Sequence, residues 1–379
     1  MSQHQNKKIL IIGYFFFPEN RPRAFRTYEL VREFVSQGHQ VDLILPGRQV
    51  FADHPVQMDN LTIKYLGDAD AHKKMDFSKS FSKQSRWRNI ARSIYRYFNP
   101  FTNTVNYIFQ VRNELRKDYA GYDMLLSIAY PVVCHIGTAF AMRRNKQLKA
   151  TPLKIAEYSD PFYTKRSAKM FFMYKYLDRW AASKFDYIIV PAKDEVSAYT
   201  KHIAPDRIRV IPQGFNFQDV VLDTYVRNEV PQFAYAGVFY SKLRNPKKLF
   251  EFLEKMETPY VFHLYTSPTN TDSMDVITQY AHLLGDKLKI HYDMNRLELI
   301  RRLSKMDFLI NINNSSLSLQ SPSKLIDYAL TKRPVFHFDH NYFDEIKFQN
   351  YLTGSYNPDP FNVTPYDIKT VAHQFLTLE

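Results

Sequence analysis

Short apolar runs along the first two hundred residues alternate with stretches in which apolar positions return every third or fourth place. Lys7 to Phe16 is apolar almost without interruption and stops before Pro18, so it reads as a strand. Arg26 to Ser36 then sets Tyr28, Leu30, Val31, Phe34 and Val35 on one side of a helix, which Gly38 closes, and Gln40 to Leu45 is the next strand. Strand, helix, strand in this order predicts parallel pairing with a right-handed crossover. The pattern continues with strands expected at Leu61–Leu66, Met124–Ile128, Lys154–Glu157, Tyr187–Val190 and Ile208–Ile211. Periodicity is lost between Pro212 and Pro231, and a linker is placed at 216–230. A second series follows at Phe233–Ala236, Tyr260–Tyr265, Leu288–Tyr292, Phe308–Ile312 and Pro334–Phe338. The pattern therefore predicts two doubly wound α/β domains, 1–215 and 231–379, with a last helix at about 365–379 able to pack back on the first. No repeat or low-complexity tract interrupts them.

Composition narrows the function classes. With 379 residues, 45% hydrophobic and 23% charged, the chain has enough apolar material for two cores and lies far from the disordered class. The single Cys134 allows neither an internal disulfide nor a cysteine clamp for a metal, which points to a reducing, cytoplasmic setting. Ile9 to Phe17 is well short of the roughly 20 residues a membrane span needs and has no cleavage site, so neither a signal peptide nor a transmembrane helix is expected. The net charge of +13 is unevenly placed: residues 1–230 hold 35 Lys+Arg and 22 Asp+Glu, the remainder 16 of each. An anionic partner for the first domain follows, whether nucleic acid, membrane surface or acidic substrate.

Ligands of doubly wound sheets bind at the carboxyl ends of strands, so the loops there are the candidates. After the first strand, Arg21, Arg23 and Arg26 stand beside a helix start and suit an anionic group, or are solvated charges. Only Gly13 is present where a dinucleotide fingerprint needs three glycines. Later strands end at Tyr130-Pro131-Val132-Val133-Cys134-His135 and at Glu157-Tyr158-Ser159-Asp160-Pro161; a packed histidine and a turn aspartate are the plain alternatives. In the second domain Lys242, Arg244, Asn245, Pro246, Lys247 and Lys248 precede a helix, as a phosphate clamp or a wet loop. Ser321 and Pro322 start another helix, with Asp327 in it placed to accept hydrogen bonds from ribose hydroxyls.

PEN with its arginines, GHQVDLILP, the YP and His135 segment, YSDP, IPQGFN at 211–216, FAYAG to LRNP at 233–246 and SPSKLIDYALTKRPV at 321–335 together resemble the GT-B glycosyltransferases of family 4, in particular those of bacterial surface-polysaccharide assembly. The resemblance runs to about Phe338. It implies two Rossmann-like domains facing a cleft, and a retaining transfer from a nucleotide-diphosphate sugar held by the second domain to a lipid-linked or glycan acceptor held by the first. No metal or other cofactor is implied. Residue by residue, it makes Arg244 the cation on the donor diphosphate and His135 a group near the donor sugar, both in catalytic roles. Lys242, Ser323, Lys324 and Asp327 become donor ligands; Arg21, Arg23, Arg26 and Asp160 fall to the acceptor or cleft side. The chain departs from the family at Leu319, where a glutamate is common, at Val238, where arginine is, and at Asn20-Arg21-Pro22, where the family has a glycine-rich loop.

Residues 79–117 carry nine Lys and Arg against Glu114. Within them Trp87, Ile90, Ile94 and Tyr95 recur at helical spacing while Arg88, Arg92 and Arg96 take another face, which suits an anionic membrane; surface helices packed by their aromatic side are the alternative. Lys165 to Trp180 has the same character. No nucleic-acid motif accompanies them, so nucleic acid is not expected as a partner. The chain is expected to be cytoplasmic, peripheral on the inner face of the membrane. Other readings are a catalytically silent relative serving as an assembly partner, and a sugar-binding protein, against which the missing signal peptide counts.

Overall fold

The structure is a computed structural model and describes residues 6–19, 21–67, 97, 101, 104–158, 162, 171–240, 245–292, 294–313, 323–339, 341–356 and 361–378, with Ser323 as backbone only. Trp87, Arg88, Arg92, Arg96, Asp160, Lys242 and Arg244 lie outside the described residues. The chain divides into two compact units, Met1–Phe215 with Tyr366–Glu379, and Asn216–Pro365.

Unit 1 is built on β1 (Lys8–Ile12), β2 (Gln40–Pro46), β3 (Leu61–Leu66), β4 (Met124–Ile128), β5 (Leu153–Glu157), β6 (Tyr187–Val190) and β7 (Ile208–Val210), all parallel in the order β3-β2-β1-β4-β5-β6-β7. The strands read as unbroken apolar runs because both faces are covered. Ile9 and Ile11 face one cluster, against α1 (Pro22–Ser36); Leu10 and Ile12 face the other, against α2 (Val105–Glu114), α3 (Val133–Met142) and α4 (Met173–Ala182). The order of the strands reverses between β1 and β4, which makes the carboxyl ends of these two the natural ligand edge.

Unit 2 repeats the design on five parallel strands in the order β10-β9-β8-β11-β12: β8 (Gln232–Ala236), β9 (Val261–Thr266), β10 (Leu288–Tyr292), β11 (Phe308–Asn313) and β12 (Val335–Asp339). One face packs on α5 (Lys247–Lys255), α6 (Thr271–Leu284) and α9 (Glu345–Thr353), the other on α7 (Arg296–Leu303) and α8 (Ser323–Leu330). Its reversal lies between β8 and β11.

Two features differ from the sequence reading. Helix α1 starts at Pro22, a full turn before Arg26, because proline at the first helical position needs no partner for a missing N–H. Residues 216–230, expected as a linker, are part of unit 2: the Tyr225 hydroxyl donates to Asp307 at 2.7 Å, and Asn228 and Gln232 also donate to that carboxylate.

The chain ends in α10 (Ile368–Leu376), which belongs to unit 1 and packs on α1 through Ile368, Val371, Ala372 and Phe375. The Phe215 N–H donates to Tyr366 O at 2.8 Å, and the Ile368 N–H to Phe215 O at 3.0 Å. Gly214 is required there: a Cβ would stand 2.7 Å from Ile368 Cδ1 and 3.0 Å from Val371 Cβ. Phe375 is fully buried. Phe375→Ala is expected to destabilise unit 1 by about 3–5 kcal/mol, read as an earlier denaturant midpoint for unit 1 with the transition of unit 2 unmoved.

Candidate functional site

Because α1 begins at Pro22, Arg23 and Arg26 stand three residues apart on one side of the helix, where they close on a single carboxylate. Glu157 ends β5 and is 1% exposed. Arg23 Nη1 lies 3.1 Å from both of its oxygens and also donates to Ala129 O at 3.2 Å. Arg26 Nε is 3.3 Å from Glu157 Oε1; its two terminal nitrogens donate to Pro212 O at 2.5 Å and Ile211 O at 3.3 Å, and its guanidinium lies 5.4 Å from the Phe375 ring centre. Burial pulls the Arg26 pKa down to about 10, with the charge of Glu157 opposing. Arg26 is thus a structural side chain, not the cleft ligand expected, because its helical register turns it into the unit.

Arg21 remains at the surface, 3.9 Å from Glu19, with its guanidinium 5.1 Å from the Phe15 ring centre. Glu19 is held more closely by Arg48 at 2.7 Å, a residue the sequence reading missed. Arg48 follows β2 and sits 4.4 Å from the Tyr14 ring centre and 5.2 Å from that of Phe51. The carboxyl edge around α1 therefore sets four guanidiniums against the carboxylates of Glu19 and Glu157, a surplus of positive charge whose accessible members are Arg21 and the outer side of Arg23.

His135 is also buried. It lies in the first turn of α3, 0% exposed, with Nδ1 2.7 Å from Ser127 Oγ and its ring 4.4 Å from that of Tyr158 and 5.7 Å from that of Phe185. Burial lowers its pKa to about 3, so the imidazole is neutral, with Nε2 buried and without a hydrogen-bond partner. The side chain reaching solvent at this turn is Tyr130, 55% exposed. Behind His135, the Tyr158 hydroxyl donates to the buried Asp178 at 3.0 Å.

In unit 2, α8 is fixed beside the end of β8. The Ala236 N–H donates to Tyr328 Oη at 2.7 Å, and the Tyr235 hydroxyl to Val238 O at 3.1 Å. Between them Gly237 takes φ 136°, a backbone that side chains rarely adopt. Lys324 Nζ lies 4.5 Å from the Tyr235 ring centre. Asp327 is engaged rather than open: Arg296 Nε and Nη2 both donate to its Oδ1, at 2.8 and 2.5 Å. Burial raises the Asp327 pKa while Arg296 opposes it. Arg296 was also missed; it follows the helix-capping Asn295, and no sequence spacing links it to a residue 31 positions on.

A family model described as Glycosyltransferase Family 4 matches residues 24–219. HepE from Anabaena, solved in complex with UDP and glucose, is similar at a TM-score of 0.59 and 10% identity, over 97% of this chain and 98% of that one. A glycosyltransferase from Rickettsia africae gives 0.61 and 13%, over 98% and 94%. The apo lipopolysaccharide outer core galactosyltransferase WaaB gives 0.57 and 11%, over 97% and 98%. No curated protein matches the chain. At such identities the likeness establishes the two-unit α/β fold.

Two tests follow from this geometry. Arg26→Ala leaves Glu157 with one partner in a dry site and is expected to cost about 3–5 kcal/mol, whereas Arg23→Ala, at the wetter side, costs less; urea unfolding of both variants gives the comparison. Burial lifts the Asp178 pKa to about 6, so its ionised form is better tolerated in the unfolded chain. The stability it contributes is present at acid pH and lost as pH rises from about 4 to about 6. Asp178→Asn keeps an acceptor for Tyr158 and removes that loss, so the Tm of the variant relative to the parent should rise between about pH 4 and pH 7.

Proposed function

The chain belongs to glycosyltransferase family 4, and from that membership we propose a retaining transfer of a sugar from a nucleoside-diphosphate donor to a lipid-linked or polysaccharide acceptor in bacterial surface-glycan synthesis. The observation carrying the donor half is α8, whose Tyr328 clamps the end of β8, whose Lys324 stands over Tyr235 and whose Asp327 is oriented by Arg296. A cation in the first turn of a helix suits phosphate. Arg296 occupies Asp327 Oδ1, and Oδ2 is the oxygen for the ribose hydroxyls. HepE, a neighbour in fold, was solved with UDP and glucose, which makes UDP the first nucleotide to try.

In this reading the bond from the anomeric carbon to the diphosphate breaks as the acceptor oxygen bonds to the same face, and the acceptor proton passes to the departing phosphate oxygen. Arg244, Lys242, Lys324 and the backbone of Ser323 stabilise the leaving charge, with no metal ion assigned a role. Arg21 and the outer edge of Arg23 meet the anionic part of the acceptor. The enzyme works in the cytoplasm, peripheral on the inner face of the membrane.

A second reading, a catalytically silent relative, is favoured by Leu319, where the family often has a glutamate. Thermal shift and transfer assays separate the two. A nucleoside diphosphate at a hundred times its Kd should stabilise the protein by about 2.7 kcal/mol, Asp327→Ala should weaken that binding about tenfold, and Arg244→Ala should cut turnover about a hundredfold or more. Failure of every nucleoside diphosphate to raise the Tm rejects the donor site. Binding without transfer from any nucleotide sugar favours the silent relative.

A further inference from the structure

From Met124 to Ala139 the chain runs through β4 and its loop into α3, and every residue of that stretch is buried except Tyr130, which is 55% exposed. Its place is the carboxyl end of β4, beside β1 at the reversal of strand order, where doubly wound sheets take their ligands. Among the described residues the Tyr130 hydroxyl makes no hydrogen bond and its ring no aromatic or cation contact. The backbone on either side is held. The Ala129 N–H donates to Glu157 O at 2.9 Å, Arg23 Nη1 donates to Ala129 O at 3.2 Å, and the Ile136 N–H donates to Val132 O at 3.1 Å.

A tyrosine kept in water on a fixed backbone has little freedom left to lose when a flat surface covers it. Packing does not account for the ring, because Val132, Val133 and Ile136 already fill the core beneath the loop. The nearby charges narrow what the covering surface is. Arg23 bonds to the carbonyl just before Tyr130 and keeps 18% of its side chain exposed, and Arg21, 47% exposed, follows on the same β1 edge. An anion and a flat, partly apolar ring are therefore accommodated side by side. A phosphorylated sugar has both: a pyranose presents a face of C–H bonds that lies on an aromatic ring while its hydroxyls stay at the rim. A nucleotide also combines them, but the donor nucleotide is assigned to unit 2 in the reading above.

We propose that Tyr130 is the surface on which a pyranose ring of the acceptor stacks, while Arg21 and the outer edge of Arg23 take the acceptor's phosphate. The inference rests on the reading above, in which unit 1 receives the acceptor, and deepens it: the edge reads a sugar ring beside a phosphate, not a phosphate alone. Tyr130 is then a residue that selects and orients the acceptor. A stack is made by the face of the ring, so it survives loss of the hydroxyl and is abolished by loss of the ring. A hydrogen bond from Tyr130 would show the opposite dependence.

Saturation-transfer NMR of the full chain with the methyl glycosides of glucose, galactose, mannose, rhamnose and N-acetylglucosamine provides the test. At least one is expected to bind, with saturation greater on one face of its ring than on the other. Tyr130→Ala should weaken that binding about tenfold, and Tyr130→Phe, which keeps the ring, by no more than about twofold. The Tm without ligand should be the same in the parent and both variants, since the side chain is exposed, and this reports that each is folded. Failure of all of these glycosides to bind the parent overturns the proposal, and so does undiminished binding by Tyr130→Ala. A loss in Tyr130→Phe equal to that in Tyr130→Ala assigns the contact to the hydroxyl and overturns the stack. The UDP-induced thermal shift belongs to unit 2 and should be unchanged in both variants. Its absence from the parent would reject the donor site and not the glycoside contact, so the two readings fail separately.

Discussion

A carboxylate in a site closed to water is tolerated only when matched charge surrounds it, and in unit 1 that carboxylate is Glu157. Arg23 and Arg26 match it from α1, and Arg26 reaches on to the carbonyls of Ile211 and Pro212 and to the face of Phe375. The end of β5, the first turn of α1, the exit from β7 and the terminal helix are thereby tied at one point. The requirement works in both directions, because a guanidinium as buried as that of Arg26 would itself be untenable without the acid.

The same pairing shapes the candidate site. Of the three arginines that the loop after β1 offers an anion, one is absorbed into the interior and one is half committed, so the surplus charge is carried at the edge by Arg21 and Arg23. Unit 2 uses a milder version. Asp327 and Arg296 are both partly exposed, and one carboxylate oxygen takes both bonds, so the pair orients the acid without sealing it. In unit 1 the pair is architecture; in unit 2 it lies where a ligand can reach it.

The strands were legible because parallel strands covered on both faces appear as continuous apolar runs, and Lys7 to Phe16 or Phe233 to Ala236 have no other reading. The loops at the carboxyl ends of the strands followed from the strand–helix alternation alone. The roles of individual charged residues did not: Glu157 lies 134 positions from Arg23, and Asp327 lies 31 from Arg296, separations at which no local pattern signals a pair. His135 illustrates the other limit, since a histidine just after a strand occupies the same sequence position whether it is open to solvent or, as here, buried against Ser127 and two aromatic rings. The one-turn error at α1 had a visible cause in Pro22, and it mattered because the register of the helix decides which arginine is buried.

Unit 2 is a single continuous stretch, Asn216–Pro365, inserted between the body of unit 1 and its last helix. Both crossings of the chain therefore leave unit 1 from one place, where Phe215 pairs with Tyr366 and Ile368. On the ribosome this reverses the usual order of completion, in which the amino-terminal domain is finished first. All of unit 2 has emerged while unit 1 still lacks the helix that covers α1 and stacks under Arg26. Until this helix has been made, Ile368, Val371 and Phe375 are missing from that face, and the unit begun first is sealed only after unit 2 has been synthesised.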